Sequence, residues 1–302
     1  MKKTIFYVYS NKAYYPELEA YRDYFSDMFH VEIIEKKNLK QKKYDKNTIL
    51  WFIMGFYPER YNAGLIIHDY RSLSVGMFPK IKNFLKKYIN QQPNIRIFLN
   101  ETIANEMNFK DKVPEIFIDM GVPEKILKNK ETNKNSYQFD FIYVGDISFE
   151  RETDKLIEKF QKKHQKKTLM LVGTYEELIF KEYHTYENVF FTGRLPQYEV
   201  FNMIQKSEFA LNFIPNKYPY SFQTSTKLLE YASLGKKIIT SFTQANKITL
   251  EKYKINSLIV DDYNFPDENE LKKIVDNNAF EVSTVLWKKI IEESNIEYLL
   301  LQ

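Results

Sequence analysis

The sequence predicts an α/β fold of two domains, each a parallel β-sheet covered on both faces by helices. Three observations predict it. Short apolar runs alternate with helical patterns along most of the chain. A polar, Lys- and Asn-rich stretch over 128–136 has no apolar periodicity and divides that alternation in two, as either a linker or a surface loop. In the second half, three of the eight glycines follow directly on strand-like runs, where the backbone must turn sharply or let a ligand approach. The domains are therefore expected at 1–130 and 137–282, with 283–302 as a C-terminal helix.

In the first half, strand-like runs fall at 4–9, 31–35, 48–54, 65–67, 95–99 and 115–118. Helical patterns over 16–29 and 78–90 lie between them. The opening MKKTIFYVYSNKAYY has two lysines and a short apolar run but no small-residue cleavage site, so it reads as a first strand. No run of about 18 apolar residues occurs, and no transmembrane helix is expected. The pattern over 78–90 sets Ile81, Phe84, Leu85, Tyr88 and Ile89 at helical spacing, with Lys80, Lys82, Lys86 and Lys87 over the remainder. Such a helix is either an ordinary surface helix or a peripheral membrane contact.

In the second half, runs at 139–144, 168–172 and 188–192 end at Gly145, Gly173 and Gly193. Next come a buried strand at 209–214 and a turn-rich loop at 215–223. Ser225 or Thr226 then caps a helix that Gly235 ends, and 237–240 starts another strand. The pattern over 283–299, with Val285, Trp287, Ile290, Ile291 and Leu299, completes the chain.

Composition narrows the chemistry. A net charge of +4 with Lys and Glu interspersed argues against a nucleic-acid binder. The chain has no cysteine, which removes disulfides and thiolate chemistry and fits a cytoplasmic setting. The four histidines stand far apart and no Asp-x-Asp pair occurs, so no metal site is expected. Only 6 of the 44 basic residues are Arg, which makes each guanidinium a candidate for phosphate or carboxylate.

The richest stretch is FALNFIPNKYPYSFQTSTKLLEYASLGKKIITS, 209–241. A helix opening with Thr224, Ser225, Thr226 and Lys227 offers free N–H groups, hydroxyls and an ammonium, a combination suited to a diphosphate. Glu230, one turn on, can accept from two vicinal ribose hydroxyls. The plainer alternative is an N-cap followed by a solvated acid. In the first half, His68 and Asp69 follow an apolar run and Arg71 is close by. A His at a strand end can orient an acceptor hydroxyl or, with a carboxylate beside it, take its proton. The alternative is a His held structurally in a loop. Arg60 and Gly55 in neighbouring loops are weaker candidates.

Four segments in order resemble the C-terminal domain of GT-B glycosyltransferases of the GT4-like group. They are YVGDISFERETDKLIEKF, LMLVG, NVFFTGRLPQYEVFNMIQKSEFALNFIP and STKLLEYASLGKKIITS. The resemblance covers 139–262 well, and the first 130 residues weakly through IIHDYRSL and IDMGVP. It implies two Rossmann-like domains whose parallel sheets face each other across a cleft. It also implies transfer of a sugar from a nucleotide-diphosphate donor to a hydroxyl of a glycan, lipid-linked saccharide or protein, with retention; from the residues themselves, no metal or other cofactor is expected. Carried over, Arg151, Thr226 and Lys227 hold the diphosphate, Glu230 the ribose, and Gly193 and Arg194 the base. Arg151 and Lys227 would neutralise the departing diphosphate, and His68 and Arg71 would face the acceptor. Two departures stand out. The first of the family's paired glutamates is Phe222, leaving Gln223 or Thr224 to replace it, and the arginine after the first Val-Gly is Asp146. They keep open a non-catalytic subunit or a sugar-nucleotide epimerase or hydrolase. The expected place of work is the cytoplasm, with peripheral contact at the inner face of the membrane.

Overall fold

The structure, a computed structural model, describes residues 2–10, 15–129 and 137–302. The chain divides into two units. One comprises Met1–Gly121, Phe222–Thr224 and Leu286–Gln302, the other Val122–Ser221 and Ser225–Val285. The linker expected at 128–136 lies, from 130 onward, outside the described residues.

The first unit is built on β1 (Thr4–Tyr9), β2 (His30–Glu35), β3 (Thr48–Ile53), β4 (Leu65–Tyr70), β5 (Ile95–Phe98) and β6 (Glu115–Phe117). They pair in parallel in the order β2-β1-β3-β4-β5-β6. β3, TILWFI, is buried at all six positions, as a strand covered on both faces must be. The helices are α1 (Pro16–Phe25), α2 (Pro79–Ile89) and α3 (Glu101–Met107). Proline opens α1 and α2, where its missing N–H has no intrahelical partner to lose. α3 is absent from the sequence expectation because seven residues carry too little periodicity; Asn100 caps it by accepting from the Ile103 N–H.

The second unit alternates without a break: β7 (Phe139–Val144), α4 (Thr153–Lys163), β8 (Leu169–Val172), α5 (Glu177–Tyr183), β9 (Val189–Gly193), α6 (Gln197–Gln205), β10 (Ser207–Asn212), α7 (Thr226–Ser233), β11 (Lys237–Ser241), α8 (Gln244–Tyr253), β12 (Leu258–Val260) and α9 (Glu268–Lys273). Its parallel sheet runs β12-β11-β10-β7-β8-β9. Counted from β7, this is the doubly wound Rossmann order, whereas the first unit follows the flavodoxin-like one. The order reverses between β7 and β10, and a ligand crevice is expected beyond the carboxyl ends of those strands. Leu156, Ile157 and Phe160 of α4 fill the core beside Phe141 and Phe209.

The chain then returns to the first unit as α10 (Trp287–Glu293) and α11 (Ile296–Leu301). α10 packs on α1, and the Trp287 ring lies so close to Gly121 that a Cβ there would come within 2.7 Å of it. The single helix expected over 283–299 is broken at Asn295, whose left-handed backbone (φ 56°) is one that asparagine tolerates better than most residues.

Candidate functional site

Ser225 starts α7. Its Oγ accepts from the Leu228 N–H at 3.3 Å and donates to Asn212 Oδ1 at 2.6 Å. Asn212, the last residue of β10, donates in turn to Thr240 Oγ1 at 2.9 Å. Asn246 of α8 donates to the same hydroxyl at 3.1 Å and to the Ser241 carbonyl at 3.0 Å. All four side chains are buried. A second tie joins α7 to the neighbouring strand, where the Val144 N–H donates to the Tyr231 hydroxyl at 3.1 Å. The helix start is thus fixed at the carboxyl ends of β7, β10 and β11, where first-turn N–H groups and the positive end of the dipole favour an anion.

Lys227 and Glu230 close on each other, Nζ to Oε2 at 2.6 Å. Glu230 is only 1% exposed, so it is not the solvated acid of the plainer alternative. Thr226 is the first helical residue and Ser225, not Thr226, is the cap. Thr224, expected among the donor residues, groups with the first unit; its Oγ1 and the Phe222 carbonyl lie 3.4 and 3.0 Å from Asn100 Nδ2.

The three glycines stand side by side. Gly145 N–H donates to the Val172 carbonyl at 3.0 Å, and Gly173 N–H to the Gly193 carbonyl at 3.1 Å. A Cβ on Gly173 would sit 1.8 Å from the Gly145 carbonyl oxygen, so packing alone demands glycine there. Gly193 differs. It ends β9 with φ 71°, and a Cβ would meet nothing nearer than 4.0 Å. Exposed Arg194 follows it.

Arg151 lies in the turn between β7 and α4, its guanidinium 4.1 Å over the ring of Tyr220. The Tyr220 hydroxyl donates to Glu150 at 2.5 Å, which ties the loop before α4 to the loop before α7. Lys217 is answered by Glu152 at 3.0 Å, whereas the Arg151 guanidinium has no ion pair among the described residues. Asp146, in place of the family's arginine, accepts from the Thr174 hydroxyl at 3.1 Å. Asn212, Tyr220, Thr240 and Tyr231 escaped sequence reasoning. Asn212 at a buried strand end is the one signal that could have pointed to the network.

In the first unit the structure corrects the expected His68–Asp69 pair. Both lie inside β4 rather than at its end, and neighbours on a strand point to opposite faces. Asp69 accepts from Tyr21 Oη at 3.0 Å and Trp51 Nε1 at 3.1 Å, with Arg71 NH1 3.9 Å away. Arg71 also donates to the carbonyls of Ile118 and Asp119. It shares the face of Asp69, so it does not join His68 at one acceptor site. His68 sits among Phe52 and Tyr70 on the other face, and burial, with Arg96 nearby, pushes its pKa down to about 3. It stays neutral there, and Asp69 cannot serve as its carboxylate partner. Glu17, in the first turn of α1, is 3% exposed, and burial raises its pKa to about 7.

Among the described residues no cluster of three or more His, Asp or Glu has a metal-holding arrangement, and no helix is long and apolar enough to cross a membrane.

No protein-family model matches the chain, and comparison with curated proteins finds no match. Solved structures do resemble it in fold. Anabaena HepE, in complex with UDP-glucose, shares 10% identity over 99% of this chain and 96% of its own, at a TM-score of 0.63. The sucrose-phosphate synthase of Thermosynechococcus elongatus shares 13% identity over 99% of both chains, at 0.70. A UDP-forming α,α-trehalose-phosphate synthase from Burkholderia xenovorans shares 8% over 100% of this chain and 99% of its own, at 0.64. With its two six-stranded parallel sheets, the chain has the GT-B fold of these glycosyltransferases.

Proposed function

We propose that the protein is a glycosyltransferase that moves a sugar from a nucleoside-diphosphate donor to a hydroxyl of a glycan, lipid-linked saccharide or protein. The observation that carries this reading is the pinned start of α7 at the switch point of the second sheet. Its first-turn N–H groups and Lys227 would receive the diphosphate, and the Arg151 guanidinium, free of a carboxylate, would add a second cation. Both cations would offset the charge that grows on the leaving diphosphate, which is electrostatic stabilisation of the transition state. Gly193, open and left-handed, leaves room for a base beside Arg194. Glu230 would take the ribose by exchanging part of its hold on Lys227 for sugar hydroxyls. The GT4-like resemblance supports retention, and a sequence without Cys or an Asp-x-Asp pair supports a reaction that needs no metal.

The test is a donor screen by thermal shift. Because the HepE structure carries UDP-glucose, UDP-sugars come first, followed by GDP-linked donors. At least one is expected to raise the melting temperature of the wild type and to do so less for Lys227→Met. A chain that no donor stabilises would be the non-catalytic subunit that Phe222 and Asp146 favour. Conversion of the donor without acceptor would point to an epimerase or hydrolase.

A further inference from the structure

α2 is turned inside out. An amphipathic surface helix ordinarily buries its apolar stripe. Here Ile81, Phe84, Leu85 and Tyr88, spaced i, i+3, i+4 and i+7, are 56%, 56%, 40% and 69% exposed. Met77 and Phe78, just before the helix, are exposed as well. The buried residues of the helix are polar: Asn83, which accepts from the Ser74 N–H at 3.0 Å, and Lys86. Exposed apolar side chains are unremarkable singly, but a stripe of them along one helix marks a binding surface.

Charge says what binds. The segment 75–89 contains four lysines and no acidic residue. Lys86 is 7% exposed, and its ammonium, 5.8 Å from the centre of the Phe56 ring, has no hydrogen bond or ion pair among the described residues. It opens instead into a cavity of about 620 Å³ that Arg60, His68, Lys87, Tyr88 and Arg96 also line. Asp111, on the same wall, is occupied by Arg96 through two contacts of 2.6 Å. Burial, with Lys82 nearby, lowers the Lys86 pKa to about 8, the mark of a cation without a counter-charge. An anion entering the cavity would supply that charge. Cavity and stripe meet at Tyr88, which belongs to both.

We propose that α2 docks the first unit on an anionic lipid surface, its apolar stripe entering the acyl boundary and a headgroup phosphate entering the Lys86 cavity. Lysines beside an apolar stripe that holds two aromatic rings complement such a surface on both counts. This reading is independent of the glycosyl-transfer proposal.

Co-sedimentation of the full chain with phosphatidylcholine vesicles, with and without phosphatidylglycerol, tests it. The wild type is expected to bind the phosphatidylglycerol vesicles, and less so in high salt. Phe84→Asp, on an exposed position, should weaken that binding at least about tenfold. Lys86→Met, or the rim variant Arg60→Gln should Lys86→Met not fold, should lose the preference for phosphatidylglycerol. Absence of wild-type binding, or equal binding by Phe84→Asp, would overturn the proposal. A wild-type dimer that Phe84→Asp disperses, without vesicle binding, would assign the stripe to a second copy of the chain and overturn it too. Inorganic phosphate that stabilises the wild type but not Lys86→Met, again without vesicle binding, would assign the cavity to a soluble anion and likewise overturn it.

Discussion

Replacing Ser225 with alanine removes two hydrogen bonds from the start of α7. One is the N-cap to Leu228 at 3.3 Å, and losing a cap costs about 1 kcal/mol. The other is the 2.6 Å bond to Asn212 Oδ1, a side chain only 3% exposed. A buried acceptor left without its donor costs about 1–3 kcal/mol. The expected loss is therefore about 2–4 kcal/mol, read from urea unfolding followed by far-UV circular dichroism. Two controls separate this network from a general packing defect. Ser225→Thr keeps the hydroxyl and should retain most of the stability. Asn212→Ala combined with Ser225→Ala should cost less than the two single changes together, because the double variant leaves no orphaned oxygen. A loss for Ser225→Ala below about 0.5 kcal/mol, or strict additivity in the double variant, would refute the claim that this chain of side chains fixes the helix start.

The glycines should separate by mechanism. Gly173→Ala drives a Cβ to 1.8 Å from a backbone oxygen and should abolish folding or cost more than about 3 kcal/mol, whereas Gly193→Ala meets open space and should cost about 1–2 kcal/mol from its left-handed backbone alone. Comparison of the two unfolding midpoints checks this. Glu17 predicts a pH dependence. Its folded pKa, about 7, lies above its ordinary value of 4.5, so across that window the folded state holds a proton that the unfolded chain has released. Wild-type stability from this group is present below the window and falls as pH rises through it. Glu17→Gln should therefore gain on the wild type between about pH 5 and pH 8, by on the order of 3 kcal/mol, in paired urea titrations.

Much of this was legible in the sequence for reasons specific to each element. β3 reads ILWFI after its opening threonine and β7 reads FIYV after Asp140, apolar runs of the kind that strands covered on both faces need. A hydroxyl at Ser225 or Thr226 ahead of LLEYA announces α7, and the structure gives the cap to Ser225. The pairing of His68 with Asp69 failed because adjacency in sequence is opposition in a strand, and the apolar run at 65–67 hid that β4 continues to Tyr70. The spacing of Ile81, Phe84, Leu85 and Tyr88 located a stripe but not the side it faces; in the structure the stripe faces outward, and Asn83 is held inward by its bond from the Ser74 N–H. Asn212, Thr240 and Tyr231 meet Ser225 and Val144 only through sheet order, which local pattern does not encode.

Backbone amide exchange, with and without a nucleoside diphosphate that the donor screen identifies, tests most directly whether the start of α7 receives the diphosphate. Binding there predicts slowed exchange in peptides over 224–231 and 145–151, and over 193–195 where the base would lie, with the remainder of the second unit little changed. Protection confined to other segments, with 224–231 exchanging at its unliganded rate, would contradict it.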